Sequence, residues 1–324
     1  MEKFYFLTHD NTDAYFNLAS EEYLLKQTDK YYIYLWVNDR AVIVGTNQNA
    51  IQEVNLAYTE KNGVKVVRRL TGGGTVYHDK GNICYTVIAP YNQEEEHYKK
   101  FTAPIIEYLN ELGVNATFSG RNDVTIDGKK ISGNAQTVFK DRIMHHGTIL
   151  FDTDSSELAS CLNPSKIKMQ SKGIKSVRAR VTNVIDYLPK KMTANEFMEG
   201  LKNKFIKTCS PYQFSNKDLI EINKLVDEKY SKYSWNIGRS PTGKNTFEHK
   251  FPFGIFTLNF DTKEGKLANV KILGDFFEKK DVSQFESKLE GKRFEKSEFL
   301  LAFNDVGEYI SGANANDIVD KIFE

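Results

Sequence analysis

The sequence predicts an α+β fold in which a mixed, largely antiparallel sheet with flanking helices is followed by a small α+β C-terminal unit. Three observations lead there. Short runs rich in aromatic and β-branched residues recur with tight turns between them, as antiparallel strands require. Segments with apolar residues at helical spacing interrupt those runs. A turn-forming stretch poor in apolar residues, Gly238 to Thr246, separates the last 80 or so residues from the rest, so the expected division is a main unit at 1–246 and an accessory unit at 247–324.

The elements follow in order. Ala14, Leu18 and Leu25, with Tyr15 and Tyr23, give a helix from Ala14 to Gln27. Tyr31 to Val37 and Ala41 to Gly45 read as strands of one hairpin turning at Asn38-Asp39-Arg40. Val64 to Arg68 and Asn82 to Ala89 are strands on either side of a glycine-rich stretch. A helix is expected from Phe101 to Leu112, with Gly113 as its C′ residue and Pro104 weakening its start. Strands at Asp123 to Ile126, Lys130 to Ser132 and His145 to Phe151 come next, with Asp127-Gly128 as a tight turn. Thr193 and Glu196 have capping-box spacing for a helix to Thr208. The C-terminal unit should hold strands at Gly254 to Phe260 and Leu267 to Leu273 and helices near Asp281 to Leu289, Ser297 to Phe303 and Asn314 to Phe323.

Composition removes several function classes. With 44 basic and 43 acidic residues the net charge is +1, so no global field favours a nucleic acid or an anionic membrane. Three scattered cysteines, Cys84, Cys161 and Cys209, form no CxxC pair and fit a reducing compartment. No stretch approaches about 18 consecutive apolar residues, and the expected location is the cytoplasm.

Three segments carry chemistry. In Arg68-Arg69-Leu70-Thr71-Gly72-Gly73-Gly74-Thr75-Val76-Tyr77-His78-Asp79, three glycines let backbone N–H groups approach an anion and two arginines supply forks suited to phosphate. Taken alone, such a run is more often an ordinary turn. In Gly120 to Ala135, Asn122 can donate and accept in one plane as adenine recognition needs, Asp123 offers a hard oxygen for Mg²⁺, and Lys130 is a movable point charge. The plain alternative is turn chemistry with a solvated hairpin tip. The third segment, Lys172 to Asn183, is basic and without period, suiting either a phosphate-covering loop or an exposed connection.

Together these segments resemble the lipoate-protein ligase A family. Its Arg-Arg-x-Ser/Thr-Gly-Gly-Gly-x-Val-x-His-Asp, Gly-Arg-Asn-Asp, Lys-hydrophobic-Ser-Gly, His-His-Gly-Thr and Lys-Gly-Ile-x-Ser-Val-Arg-x-Arg-Val-Thr-Asn segments occur here in order at Arg68 to Asp79, Gly120 to Asp123, Lys130 to Gly133, His145 to Thr148 and Lys172 to Asn183. The resemblance implies a catalytic domain like those of class II synthetases and biotin ligases. It also implies adenylation of lipoate by ATP with Mg²⁺, then transfer to a lysine of a lipoyl-acceptor protein, either a glycine-cleavage H protein or the E2 subunit of a 2-oxoacid dehydrogenase.

By the same resemblance Lys130 is the catalytic cation. Arg68, Arg69, Gly74, Thr75, Val76, Tyr77, Asn122, Asp123, His146, Lys172, Arg178 and Arg180 would meet ATP or the adenylate. Leu70, Gly72, Gly73 and Gly74, with Lys130 and His146, would meet lipoate, and Asp123 would hold Mg²⁺. His78 and Asp79 are read as structural. The rival readings are an ATP-independent octanoyltransferase or lipoyl amidotransferase with a cysteine nucleophile, and a non-catalytic lipoate carrier.

Overall fold

The computed structural model describes residues 4–27, 29–163, 181–238, 245–263 and 266–323. Its frame is an eight-stranded sheet. In spatial order this runs β11 (Ser210–Pro211), β1 (Phe4–Thr8), β2 (Tyr31–Val37), β6 (Asn82–Pro90), β10 (Arg142–Leu150), β9 (Lys129–Phe139), β8 (Asp123–Ile126) and β7 (Ala116–Ser119). Only β1 pairs in parallel, with β2 and β11; all other neighbours are antiparallel.

Alternation along the strands divides two cores. From β6, Ile83, Tyr85, Val87 and Ala89 face helices α4 (His97–Glu111) and α6 (Ala194–Phe205), while Cys84 and Ile88 face α1 (Ala14–Lys26) and α7 (Asn216–Leu225). Short helices α2 (Ala50–Glu53), α3 (Leu56–Lys61) and α5 (Ser155–Cys161) edge the molecule. Local chemistry fixes several boundaries. Asp13 accepts from the N–H groups of Tyr15 and Phe16 to start α1, and Thr193 with Glu196 completes a capping box on α6. Helix α4 begins one turn before the expected Phe101, and Pro104 lies inside it. The missing N–H affects only the carbonyl of Lys100, an exposed residue. At its other end Gly113, φ +84°, donates to Asn110 while Val114 donates to Leu109, a Schellman closure. Asp127 and Gly128, both at positive φ, join β8 to β9 in two residues.

The hairpin expected over Tyr31 to Gly45 does not form. Strand β3 (Ala41–Val44) leaves the large sheet and becomes the centre of a second, three-stranded one, parallel to β4 (Lys65–Arg68) and antiparallel to β5 (Val76–His78). Asn38 is buried rather than at a turn tip: its side chain bonds Asn17 and His78. The consequence is positional, because the glycine-rich segment now spans from β4 to β5 across the end of β3, with both ends anchored to one strand.

The C-terminal residues build a separate core on the sheet β12 (Asn245–Phe251), β13 (Gly254–Lys263) and β14 (Lys266–Gly274), covered by helices Val282–Leu289, Lys296–Phe303 and Ala315–Ile322. β12 takes in Asn245 and Thr246, the last two residues of the stretch read from sequence as a linker.

Candidate active site

A cavity lies between the two sheets. Leu18 of α1, Trp36 of β2, Cys84 of β6 and Ala135 of β9 line it from the large sheet and its helix; Ile43, Val76 and His78 line it from the small sheet. A second cavity, of about 1100 Å³, is bounded by Thr75, Tyr77, Leu150, Thr153 and Asp186 among others. Val76, Lys130, Gly133 and Thr148 belong to both. Lys130 therefore stands where the two spaces meet.

Its position follows from β9. Gly133, three residues on, has no side chain, and Lys130 folds back over it so closely that a Cβ there would lie 2.7 Å from Nζ. The ammonium is 2.7 Å from Asp123 Oδ1 at the start of β8. Both side chains are about one third exposed, 36% each, so the pair positions the ammonium and contributes little stability, about 0–1 kcal/mol. Val181 bridges to Lys130, and the N–H of Thr182 donates to the Lys130 carbonyl, bringing the end of the Lys172 to Asn183 segment to this point. Lys172, Arg178 and Arg180 lie outside the described residues.

The two adjacent arginines, expected to act alike, part company. Arg68 is fully buried and donates to the carbonyls of Gly45, Thr46, Gln48, Trp235 and Asn236, away from both cavities; it braces the fold where a phosphate contact was expected. Arg69 points the other way and lines the first cavity. It holds Thr71 Oγ1 and the carbonyls of Ile43, Gly72 and Gly74, closing the glycine loop upon itself. Burial lowers the guanidinium's pKa to about 10. One of the glycine N–H groups expected to meet an anion is already engaged. Gly73, φ +89°, instead donates to the carbonyl of Phe276 from the C-terminal unit, and a Cβ on Gly72 would sit 2.5 Å from that same oxygen.

The alternation of β10 decides between its two histidines. His145 turns to the α4 face, fully buried against Tyr98 and Phe101. His146 faces the cavity, with Nδ1 2.9 Å from Glu21 Oε1 and Nε2 2.8 Å from Thr71 Oγ1. Asn122 also lines it, but its amide donates to the Asn134 carbonyl, so the group expected to read adenine is engaged in holding β9. Thr75 donates to Gln48, Tyr77 lies buried against the second cavity, and Leu70 packs into the α1-side core without lining either space. Gly74 lines the first.

Three contributors were not foreseen. Glu21 sits in the middle of α1, where helical spacing alone reads as packing, yet it accepts from Thr86 and meets His146. Phe277 reaches across from the C-terminal unit to complete the first cavity. His78, read from sequence as structural, lines that cavity, and burial together with the charges of Arg69 and His146 lowers its pKa to about 3.

No group of three His, Cys, Asp or Glu side chains among the described residues could hold a metal ion. A Mg²⁺ carried by a nucleotide needs only one or two protein carboxylates, and Asp123 fits that requirement. No helix among the described residues is long and apolar enough to cross a membrane.

Family models match both units of the chain. The family described as lipoyl protein ligase A/B catalytic domain matches residues 13–206, and the bacterial lipoate protein ligase C-terminus matches 240–322. The chain is 41% identical to lipoate-protein ligase LplJ of Bacillus subtilis over 98% of its own length and 99% of that protein. It superimposes on the crystal structure of P. falciparum LipL1 in complex with lipoate with a TM-score of 0.80 at 27% identity, covering 98% of each chain. Lipoate-protein ligase A bound with ATP matches with a TM-score of 0.63 at 28% identity, over 74% of this chain and 99% of that one. A catalytic unit and a C-terminal unit in this order, alike over the full length, make the chain an enzyme of the lipoate-protein ligase family.

Proposed function

We propose that the chain activates lipoate with ATP and transfers the lipoyl group to a lysine of an acceptor lipoyl domain, carried by an H protein or an E2 subunit. The observation that carries this reading is the place of Lys130, at the junction of a smaller cavity lined by Leu18, Trp36 and Ile43 and a larger one. An acid with an apolar tail fits the first, and the nucleotide fits the second. Similar proteins have been solved with lipoate and with ATP, which supports these two as the ligands.

In the first step a carboxylate oxygen attacks the α-phosphorus, a new P–O bond forms, and the bond to the β-phosphate oxygen breaks to release pyrophosphate. In the second the acceptor amine, having lost its proton, attacks the acyl carbon and AMP departs. Lys130 contributes in both by placing a positive charge between the carboxyl oxygen and the phosphate, where negative charge develops. Asp123 holds the ammonium in place and would also hold Mg²⁺, which when bound neutralises phosphate charge. Arg69 acts indirectly by fixing the glycine loop against the tail.

A cysteine-thioester route is disfavoured by the thiols themselves. Burial raises Cys84 well above its ordinary pKa, pushes Cys161 up to about 11 and raises Cys209, so none is poised as a thiolate. Lys130→Ala should abolish most ATP-dependent lipoylation of a lipoyl domain while the thermal midpoint stays close to wild type. Undiminished lipoylation by that variant, or lipoylation without ATP, would remove the proposal.

A further inference from the structure

Glu21 is 2% exposed in the middle of α1, where packing alone would favour an apolar side chain, since a buried carboxylate is costly unless its oxygens are met. They are met, and the partners fix the protons around it. Trp36 Nε1 donates to Thr86 Oγ1 at 2.9 Å, and the Thr86 hydroxyl gives its own proton to Glu21 Oε1 at 2.6 Å. The other neighbour is His146 Nδ1, 2.9 Å from Oε1 and 3.2 Å from Oε2. A carboxylate only accepts, so Nδ1 carries the hydrogen, and in the neutral ring Nε2 is left bare.

That bare nitrogen reaches the glycine-rich loop. Thr71 Oγ1, fully buried, lies 2.8 Å from His146 Nε2 and accepts from Arg69 Nε at 3.0 Å, so the hydroxyl proton of Thr71 goes to the histidine. Arg69 in turn grips the carbonyls of Gly72 and Gly74. The hydrogen bonds therefore run in one direction, from Arg69 through Thr71 and His146 to Glu21, and join α1 to the loop beside the cavity that His146 and Arg69 both line. Charge follows the same path. The hydrogen-bond partners of Arg69 are carbonyls and a hydroxyl, and the negative charge of Glu21 offsets part of the burial that lowers its guanidinium.

We propose that Glu21 is a positioning residue for ligation: by keeping the hydrogen of His146 on Nδ1 it makes Nε2 the acceptor that holds Thr71, and through Thr71 it sets Arg69 and the glycine-rich loop. This rests on the reading that the loop closes on the acid.

The tautomer can be seen directly in the full-length wild type labelled with nitrogen-15 histidine. For His146, Nδ1 should show the shift of a protonated ring nitrogen and Nε2 that of a bare one. The same pattern should survive in Thr71→Val, because Glu21 and not Thr71 sets it. A hydrogen on Nε2 in either protein overturns the proposal, and neither measurement depends on a Glu21 variant that folds.

Kinetics with ATP, Mg²⁺, lipoate and a lipoyl domain test the coupling. Glu21→Gln keeps the shape and places an amide beside Nδ1. Its kcat/KM for lipoate should fall about tenfold or more, carried mainly by KM, because a loop held less firmly against the acid weakens ground state and transition state alike. Thr71→Val should cost a similar factor in wild type but only about twofold in the Glu21→Gln background, and Thr71→Ser, which keeps the hydroxyl, should behave as wild type. Losses that multiply in the double variant, wild-type kinetics in Glu21→Gln, or a loss confined to kcat would each overturn the proposal. A wild type that does not ligate lipoate at all indicts the functional reading, and the histidine spectrum then decides for Glu21.

Discussion

The ring of Phe277 lies against the guanidinium of Arg121, 4.3 Å from its centroid, and joins the C-terminal unit to the segment that holds Asp123. Around it, Gly73 donates to Phe276, Asn47 Nδ2 donates to Glu278, and Gly274 donates to the Asn47 carbonyl. The cavity mouth is thus completed by a part of the chain some two hundred residues away from the glycine loop in sequence. Gly73 and Phe276 are buried, but Asn47, Gly274, Phe277 and Glu278 are partly exposed, so the joint rests on a few contacts rather than on one shared core.

Gly72→Ala should open that joint. The new Cβ would stand 2.5 Å from the Phe276 carbonyl oxygen, a backbone atom that cannot swing aside, so the loop and the C-terminal unit must separate. Small-angle scattering should show a larger radius of gyration than wild type. Phe277→Ala should act in the same direction and more weakly, since it removes a cation–π contact of about 0.5–2 kcal/mol and leaves the backbone bonds in place. A Gly72→Ala profile identical to wild type would mean that the units are not held at this contact.

Stability should fall on acidification below about pH 6.5. Burial lowers His78 to about 3 and His145 well below its ordinary 6.5, so between those values the unfolded chain binds protons that the folded chain refuses. The stabilisation is therefore complete above the unfolded value and is lost as pH falls towards the folded one, by at most about 1.4 kcal/mol per pH unit for each ring. Asp79, raised by burial, works in the opposite sense and offsets part of the loss at low pH. Urea midpoints measured from pH 7.5 to 5 should decline, and His145→Gln should flatten the slope. An equal slope in that variant would show that His145 is already protonated in the folded state.

Local signals in the sequence carried most elements because each rests on neighbours. Asp127-Gly128 needs only its own backbone to turn, Thr193 and Glu196 cap each other, and Gly113 closes α4 alone. What stayed hidden depends on partners distant in the chain. The apparent hairpin at Asn38 fails because β3 is held by β4 and β5, strands that follow it by some twenty residues or more. Arg68 and Arg69 are chemically identical in the sequence, and only opposite strand faces send one into the fold and the other to the cavity. His78 reads as structural, and its Nδ1 does serve the fold through Asn38, yet the residue also lines the first cavity, a placement set by the distant strands that pack around it.

Gly133→Ala tests whether the placement of the Lys130 ammonium, and not merely its charge, is what the site needs. Gly133 does not have positive φ, so alanine suits the backbone, and the added Cβ would meet only Lys130, 2.7 Å from Nζ and 2.9 Å from Cε. The flexible end of the side chain can move away, so the thermal midpoint should change by no more than a few degrees. The ammonium would then leave the boundary between the cavities and loosen from Asp123. Each 1.4 kcal/mol of lost charge stabilisation costs tenfold in rate, and single-turnover pyrophosphate release should slow by about tenfold or more with the charge still present. Gly147→Ala on the neighbouring strand supplies the contrast: its Cβ would lie 2.1 Å from Asn134 Oδ1 and 2.6 Å from the Tyr85 ring, packed groups with no room to yield, so that variant should lose stability first. Wild-type turnover in a folded Gly133→Ala would mean that the ammonium reaches its working position only after substrates bind, from wherever it rests beforehand.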